Sequence, residues 1–294
     1  MELVREWADY ESSTGGVAAF LARPACASGP VPAVVVIQEI WGVDQHIQDI
    51  VERFANSGYL ALAPDLYSAG SGRPPALEAS RIDGAKAFMN SIPPAEWMTV
   101  LSDETLRNKE LAKLPDGEGA KVAETIGTLF GRARGSSSHD LETLVSAVGF
   151  LGSHPACEGR SIGVVGFCMG GGLSAQLACS DANIDAAAIF YGASPGADQV
   201  SQIRCPIRGF YGQNDPNIVS GLPGFAKELE KAGIDYDLRI YPDTPHAFFN
   251  DTRPSYRQEA ARDAWGSLLA FFAVALGSVP TLSAADWATE NSKG

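Results

Sequence analysis

Long apolar runs are missing from this chain, and so is any excess of basic charge. No stretch approaches the ~18 consecutive apolar residues that a membrane-spanning helix requires, so no membrane association is expected. The opening residues, Met1-Glu2-Leu3-Val4-Arg5-Glu6, lack the basic and then hydrophobic order of a secretory signal. Lysine and arginine number 22 against 35 aspartates and glutamates, a net charge of −13. That balance repels phosphate backbones and gives no electrostatic footprint for nucleic acid; it speaks for solubility. The five cysteines (Cys26, Cys157, Cys168, Cys179 and Cys205) are odd in number and follow no disulfide framework. Reduced thiols of a cytoplasmic protein are the simple reading. His154 and Cys157 stand near each other without two further ligands at matching spacing, and no metal is expected. Neither G-x-G-x-x-G nor G-x-x-x-x-G-K-[ST] occurs, so no nucleotide cofactor is expected. Repeats and low-complexity tracts are absent as well.

What is present is concentrated in a few short segments. The apolar run Ser161-Ile162-Gly163-Val164-Val165 leads into Gly166-Phe167-Cys168-Met169-Gly170 and on into Gly171-Gly172-Leu173-Ser174-Ala175-Gln176-Leu177-Ala178. A strand, a turn flanked by small residues and a helix make up a nucleophile elbow of the α/β-hydrolase kind. Here the nucleophile position carries a cysteine. The helix N-terminus favours negative charge at the sulfur and at an oxyanion beside it. The plainer alternative is a small buried thiol in a glycine-rich turn. In the hydrolase order the nucleophile is followed by the acid and then by the histidine. Of His46, His139, His154 and His246, only His246 follows Cys168. It lies after the alternating segment Asp237-Leu238-Arg239-Ile240-Tyr241 and the loop Pro242-Asp243-Thr244-Pro245. The strand-like Pro206–Tyr211 ends in Gly212-Gln213-Asn214-Asp215-Pro216, which makes Asp215 the candidate acid. Its alternative is an ordinary Asn-Asp-Pro turn residue.

These segments, with Val35-Val36-Ile37-Gln38-Glu39-Ile40-Trp41-Gly42, Gly58-Tyr59-Leu60-Ala61-Leu62-Ala63-Pro64-Asp65-Leu66-Tyr67 and Tyr241–Asn250, resemble the dienelactone hydrolase family. They spread over most of residues 30–275. The resemblance implies a triad of Cys168, His246 and Asp215, and a fourth residue, Glu39, that accepts a hydrogen bond from the resting thiol. It implies an oxyanion hole at the backbone N–H groups of Ile40 and Met169. Glu39 read without the resemblance is a charged residue closing a buried strand. Trp41, Tyr191, Phe248 and Arg81 are the candidate substrate-binding side chains. The family's arginine four residues beyond the histidine is replaced by Asn250, and the next arginine is Arg253. Arg81, Arg132 and Arg134 lie in the middle segment, so a carboxylate-bearing substrate and an uncharged one both remain open. The expected activity is hydrolysis of a small-molecule lactone or activated ester. The alternatives are a carboxylesterase or C–C bond hydrolase on the same fold, or a non-catalytic thiol-redox or binding module. No oligomeric state follows from the sequence.

The organisation expected is one α/β-hydrolase domain over residues 1–278, with a mostly parallel sheet, helices on both faces and a helical insertion at about 69–138. Residues 2–22 read as an edge hairpin, 33–38 and 59–63 as strands around a helix at 46–57. Leu141–Leu151, Leu173–Cys179, Phe225–Ala232 and 255–275 read as helices, and Ala186–Tyr191 as a strand. In the insertion, Leu77–Met89, Thr99–Leu114 and Lys121–Phe130 look helical, broken by Pro93-Pro94 and Pro115-Asp116-Gly117. It reads as a cap beside the site, or equally as a surface excursion or oligomer contact. Residues 279–294, with Trp287, read as a tail.

Overall fold

The computed structural model describes residues 2–13, 15–68, 72–93, 96–135 and 137–277. The expected tail, Trp287 and the domain's last residue therefore lie outside the described residues. Ten-residue strands β1 (Leu3–Ser12) and β2 (Gly15–Pro24) pair antiparallel. Then follow β3 (Ala33–Ile37), α1 (Gln45–Asn56) and β4 (Leu60–Pro64). The insertion holds α2 (Ala79–Ser91), α3 (Trp97–Ser102), α4 (Glu104–Leu111) and α5 (Glu118–Gly135), and leads to α6 (Ser137–Ser153). The second half contains β5 (Ile162–Phe167), α7 (Met169–Ser180), β6 (Ala186–Phe190), α8 (Ala197–Val200) and β7 (Ile207–Gly212). It closes with α9 (Pro216–Val219), α10 (Leu222–Ala232), β8 (Tyr236–Tyr241) and α11 (Gln258–Ala275).

The strands form one sheet in the order β1-β2-β4-β3-β5-β6-β7-β8. From β3 to β8 all pairings are parallel, while β2 meets β4 antiparallel. Val34, Val35, Val36 and Ile37 are all fully buried, as a strand covered on both faces must be. They alternate between two cores: Val35 and Ile37 join Leu173 and Leu177 of α7, and Val34 and Val36 join Ile47 and Phe54 of α1 and Leu268 and Phe272 of α11. The chain leaves β3 toward β4 on one side and resumes at β5 on the other. The carboxyl ends of β3 and β5 thus flank the switch point where open α/β sheets place their ligands.

The insertion packs into the first core through Ile82, Phe88 and Met89 of α2, Leu111 of α4 and Ile126 and Leu129 of α5. The single helix expected over Thr99–Leu114 is two. Asp103 ends α3 and caps α4, its Oδ1 accepting from Thr105 N (2.8 Å) and Leu106 N (3.0 Å). A side chain that satisfies two free amides stabilises a new helix start more than it supports continuation. The elbow helix starts at Met169, not Leu173, because the glycines at 170–172 are needed for close approach and do not signal a loop.

Candidate active site

Cys168 occupies the turn between β5 and α7 with φ 56° and ψ −114°, a conformation that L-residues other than glycine adopt at a cost. Neighbouring backbone enforces it. A Cβ on Gly166 would lie 1.8 Å from Gly170 O, and one on Gly170 would lie 2.4 Å from Gln38 O. The glycines therefore let α7 start directly against β3 and β5. Cys168 N donates to Phe190 O (3.0 Å), tying the turn to the end of β6. Beneath it, Phe167, Phe190, Phe210 and Phe249 stack with neighbouring centroids 4.6–5.6 Å apart. Cys168 packs against the core cluster that contains these rings.

His246 arrives on the loop after β8. Gly212, at the end of β7, lets this loop pass: a Cβ there would lie 2.4 Å from Thr244 O. Asn214 N donates to Thr244 O (2.9 Å), so the loops carrying Asp215 and His246 are sewn together. His246 Nδ1 is bonded to Asp215 Oδ2 at 2.5 Å. Burial alone lowers the imidazole pKa, but the charge of Cys168, hydrogen bonding to Asp215 and Cys168, and the Asp215 charge together raise it well above its ordinary value. Cys168, His246 and Asp215, distant in sequence, thus meet at the ends of β5, β7 and β8.

Glu39, just beyond β3, is 2% exposed. Its Oε1 accepts from the Tyr191 hydroxyl (3.1 Å) and its Oε2 from Asn250 Nδ2 (2.7 Å). Burial, reinforced by the charges of Glu39 and Cys168, raises the Tyr191 pKa, so the hydroxyl stays protonated and donates. Among the described residues Glu39 accepts from Tyr191 and Asn250, and no hydrogen bond joins it to the Cys168 sulfur. Asn250 is a site residue whose role sequence reasoning missed. In sequence it shows only as a departure from an arginine. Ile40 follows β3 and Met169 opens α7 directly after Cys168, and neither backbone N–H donates a hydrogen bond among the described residues.

The remaining sequence candidates divide. Tyr191 contacts both Glu39 and, edge-on at 5.1 Å between centroids, His246. Trp41 is buried under the Arg253 guanidinium, 5.0 Å from its ring centroid. Phe248 is fully buried among Tyr191, Tyr241 and Phe190, in the core and not in contact with open space. Arg81 is also removed from the site: its Nη2 donates to Lys121 O (2.8 Å) and Glu124 Oε2 (2.7 Å), pinning α2 to α5. Arg132 bonds Leu66 O (3.0 Å) and Asp140 (3.1 Å), and the Arg134 side chain lies outside the described residues.

Arg253 takes the place these leave. It is 8% exposed and lies between Trp41 and, at 4.9 Å, Trp97 of α3. Its Nε has no hydrogen-bond partner, and the guanidinium forms no ion pair among the described residues. Burial lowers its pKa, while the charges of Glu39 and Cys168 oppose that shift. With Trp41 and Asn250 it lines a cavity of about 620 Å³ between α1 and α2. In that cavity Asp44 is paired with Lys86 and Asp65 with Arg73 (2.7 Å). Trp41, Asn250 and Arg253 are among its lining residues, and Cys168 and His246 are not.

Among the described residues, no group of three or more His, Cys, Asp or Glu is placed to hold a metal ion, and no helix is long and apolar enough to cross a membrane. Cys157, Cys179 and Cys205 are buried, and burial pushes the last two thiols up to about 11 and about 12.

Against known proteins, the description "Dienelactone hydrolase family" matches residues 17–276. A protein of Saccharolobus solfataricus named "Putative carboxymethylenebutenolidase" is 36% identical over 89% of this chain and 95% of its own length. A protein of the same name from Yersinia pestis is 30% identical over 86% and 82%. Among solved structures, a "Putative Dienelactone Hydrolase" from Klebsiella pneumoniae superposes with a TM-score of 0.67 at 27% identity, covering 93% of this chain and 99% of that one. A dienelactone hydrolase-like promiscuous phosphotriesterase from metagenomic libraries shares the fold, with a TM-score of 0.65 at 19% identity over 94% and 100%. With its cysteine elbow on a parallel sheet and these relatives along nearly its full length, the chain belongs to the dienelactone hydrolase family and is a hydrolase.

Proposed function

We propose that the chain hydrolyses lactones or activated carboxylic esters through a Cys168–His246–Asp215 triad. One observation carries the reading: a strained cysteine at a strand-to-helix turn stands beside an imidazole whose other nitrogen is held by a carboxylate. Cys168, having passed its thiol proton to His246, attacks the acyl carbon as the thiolate, and the carbonyl oxygen takes its negative charge toward the free N–H groups of Ile40 and Met169. His246, kept protonated by the charges of Cys168 and Asp215, gives its proton to the leaving oxygen as the C–O bond breaks. A thioester remains. Acylation removes the negative charge on sulfur and with it a main cause of the raised imidazole pKa. The imidazole is then free to take a proton from water, which attacks the thioester and expels the thiolate. In a lactone the leaving alcohol stays tethered, so rapid attack by water is what prevents re-closure. Thiolates leave more readily than alkoxides or amines, which favours stabilised leaving groups such as enolates and argues against peptide cleavage.

Arg253 supports an anionic group on the substrate. A buried guanidinium without an ion-pair partner costs free energy that a bound carboxylate recovers. Glu39, held by Tyr191 and Asn250, contributes the opposing charge that keeps Arg253 and the sulfur region in balance. Rates for Cys168→Ala and the native chain on p-nitrophenyl esters, enol lactones and β-diketones test the reading. Loss on esters and lactones supports it. Cleavage of diketones alone replaces it with C–C hydrolysis, and unchanged ester rates remove Cys168 as nucleophile.

A further inference from the structure

We propose that the helical insertion is part of the active site, and that Trp97 is the positioning residue through which it sets a preference for anionic ligands. The inference rests on the reading of Arg253 as an anion receptor.

An arginine at the edge of a site is normally aimed by a carboxylate. Arg253 is aimed by two indoles instead, with its guanidinium carbon 5.0 Å from the Trp41 centroid and 4.9 Å from the Trp97 centroid. Stacking on the faces leaves the in-plane N–H donors uncommitted, whereas an ion pair would consume them. The Nε is buried with no partner. The two rings come from different parts of the fold. Trp41 follows β3 and is buried at the end of the sheet; Trp97 begins α3, inside the insertion.

Trp97 is itself fixed. Its Nε1 donates to both Met89 O and Ile92 O, each at 2.9 Å, at the carboxyl end of α2. The same helix lines the cavity with Ile82 and Lys86. The other side of Arg253 is anchored independently. Asp251 pairs with Arg53 of α1 (2.7 Å), and Thr252 N donates to Asn250 Oδ1 (3.1 Å) in the loop that runs on from His246. The insertion and the catalytic loop therefore touch through a cation–π contact at a guanidinium that makes no ion pair among the described residues. Trp97 makes no contact with the reacting atoms and does not line the cavity, so its effect passes through Arg253.

Calorimetric titration of Cys168→Ala with phenylacetate and with its neutral isostere phenylacetamide reads the anion preference without catalysis. Phenylacetate is expected to bind more tightly. Adding Trp97→Ala is expected to shrink the ratio of the two dissociation constants by about five- to tenfold, with Trp97→Phe restoring most of it. Arg253→Gln should remove the preference. A preference retained in Trp97→Ala but lost in Arg253→Gln overturns the role of the insertion and leaves the anion receptor standing. No preference in Cys168→Ala itself overturns both, and a Trp97→Phe variant as impaired as Trp97→Ala reduces Trp97 to a packing residue.

Discussion

The carboxyl rim of the sheet and the helical insertion are both built on buried apolar residues, yet they place functional groups by different means. On the rim, backbone fixes chemistry. Glycines at 166, 170 and 212 admit neighbouring carbonyls to distances no Cβ permits, and those contacts hold Cys168, Asp215 and His246 in place. In the insertion, side chains alone reach the site, and the contact identified is one indole against one guanidinium. Groups held by backbone are costly to disturb and few substitutions are tolerated there. A group held by a ring changes with a single residue, so on the proposed reading the insertion is where specificity can diverge while Cys168, His246 and Asp215 stay the same.

That contrast is broken most directly at His246. His246→Ala is expected to lower kcat/KM on a p-nitrophenyl ester by about three orders of magnitude or more. A loss below tenfold would require another base. Next comes the rim's backbone: Gly170→Ala drives a Cβ against Gln38 O and Ile37 O at 2.4 and 2.5 Å. Urea unfolding should show a loss of about 3 kcal/mol, and a change well under ~1 kcal/mol would mean that α7 and β3 give way easily. The smallest effect belongs to the insertion's own scaffold. Arg81→Ala removes a pair whose carboxylate is largely exposed, with a side-chain exposure of 62% at Glu124. It should cost ~1 kcal/mol or less in stability and leave ester hydrolysis as in the native chain. A large fall in turnover would return Arg81 to the active site.

How far the sequence could be read follows the same division. The elbow, the Asp215 turn and the His246 loop were legible because backbone crowding dictates residue type locally, so short motifs carry the information. The parallel sheet was legible from apolar runs such as Val34–Ile37. Phe248 reads as substrate-binding in the sequence because a large apolar residue near the histidine looks the same whether it faces a pocket or the core. The loop turns it inward, onto Tyr191 and Tyr241. Arg81 reads as substrate-binding in the sequence because nothing local says whether an arginine on a helix meets a ligand or the neighbouring helix. Arg253 was visible only as the next arginine along, and Trp97 not at all, since their meeting depends on how the insertion folds back over the catalytic loop. The break at Asp103 had a signal, an aspartate three residues ahead of Leu106, in the position of a helix cap.

The central claim is that acyl groups pass through the Cys168 sulfur. Acid quenching of the native chain during turnover of p-nitrophenyl acetate, followed by peptide mass spectrometry, tests it. The account predicts one acetyl group on the peptide containing Cys168 and none in Cys168→Ala. An acetyl group found on another residue, with turnover persisting in Cys168→Ala, would contradict it.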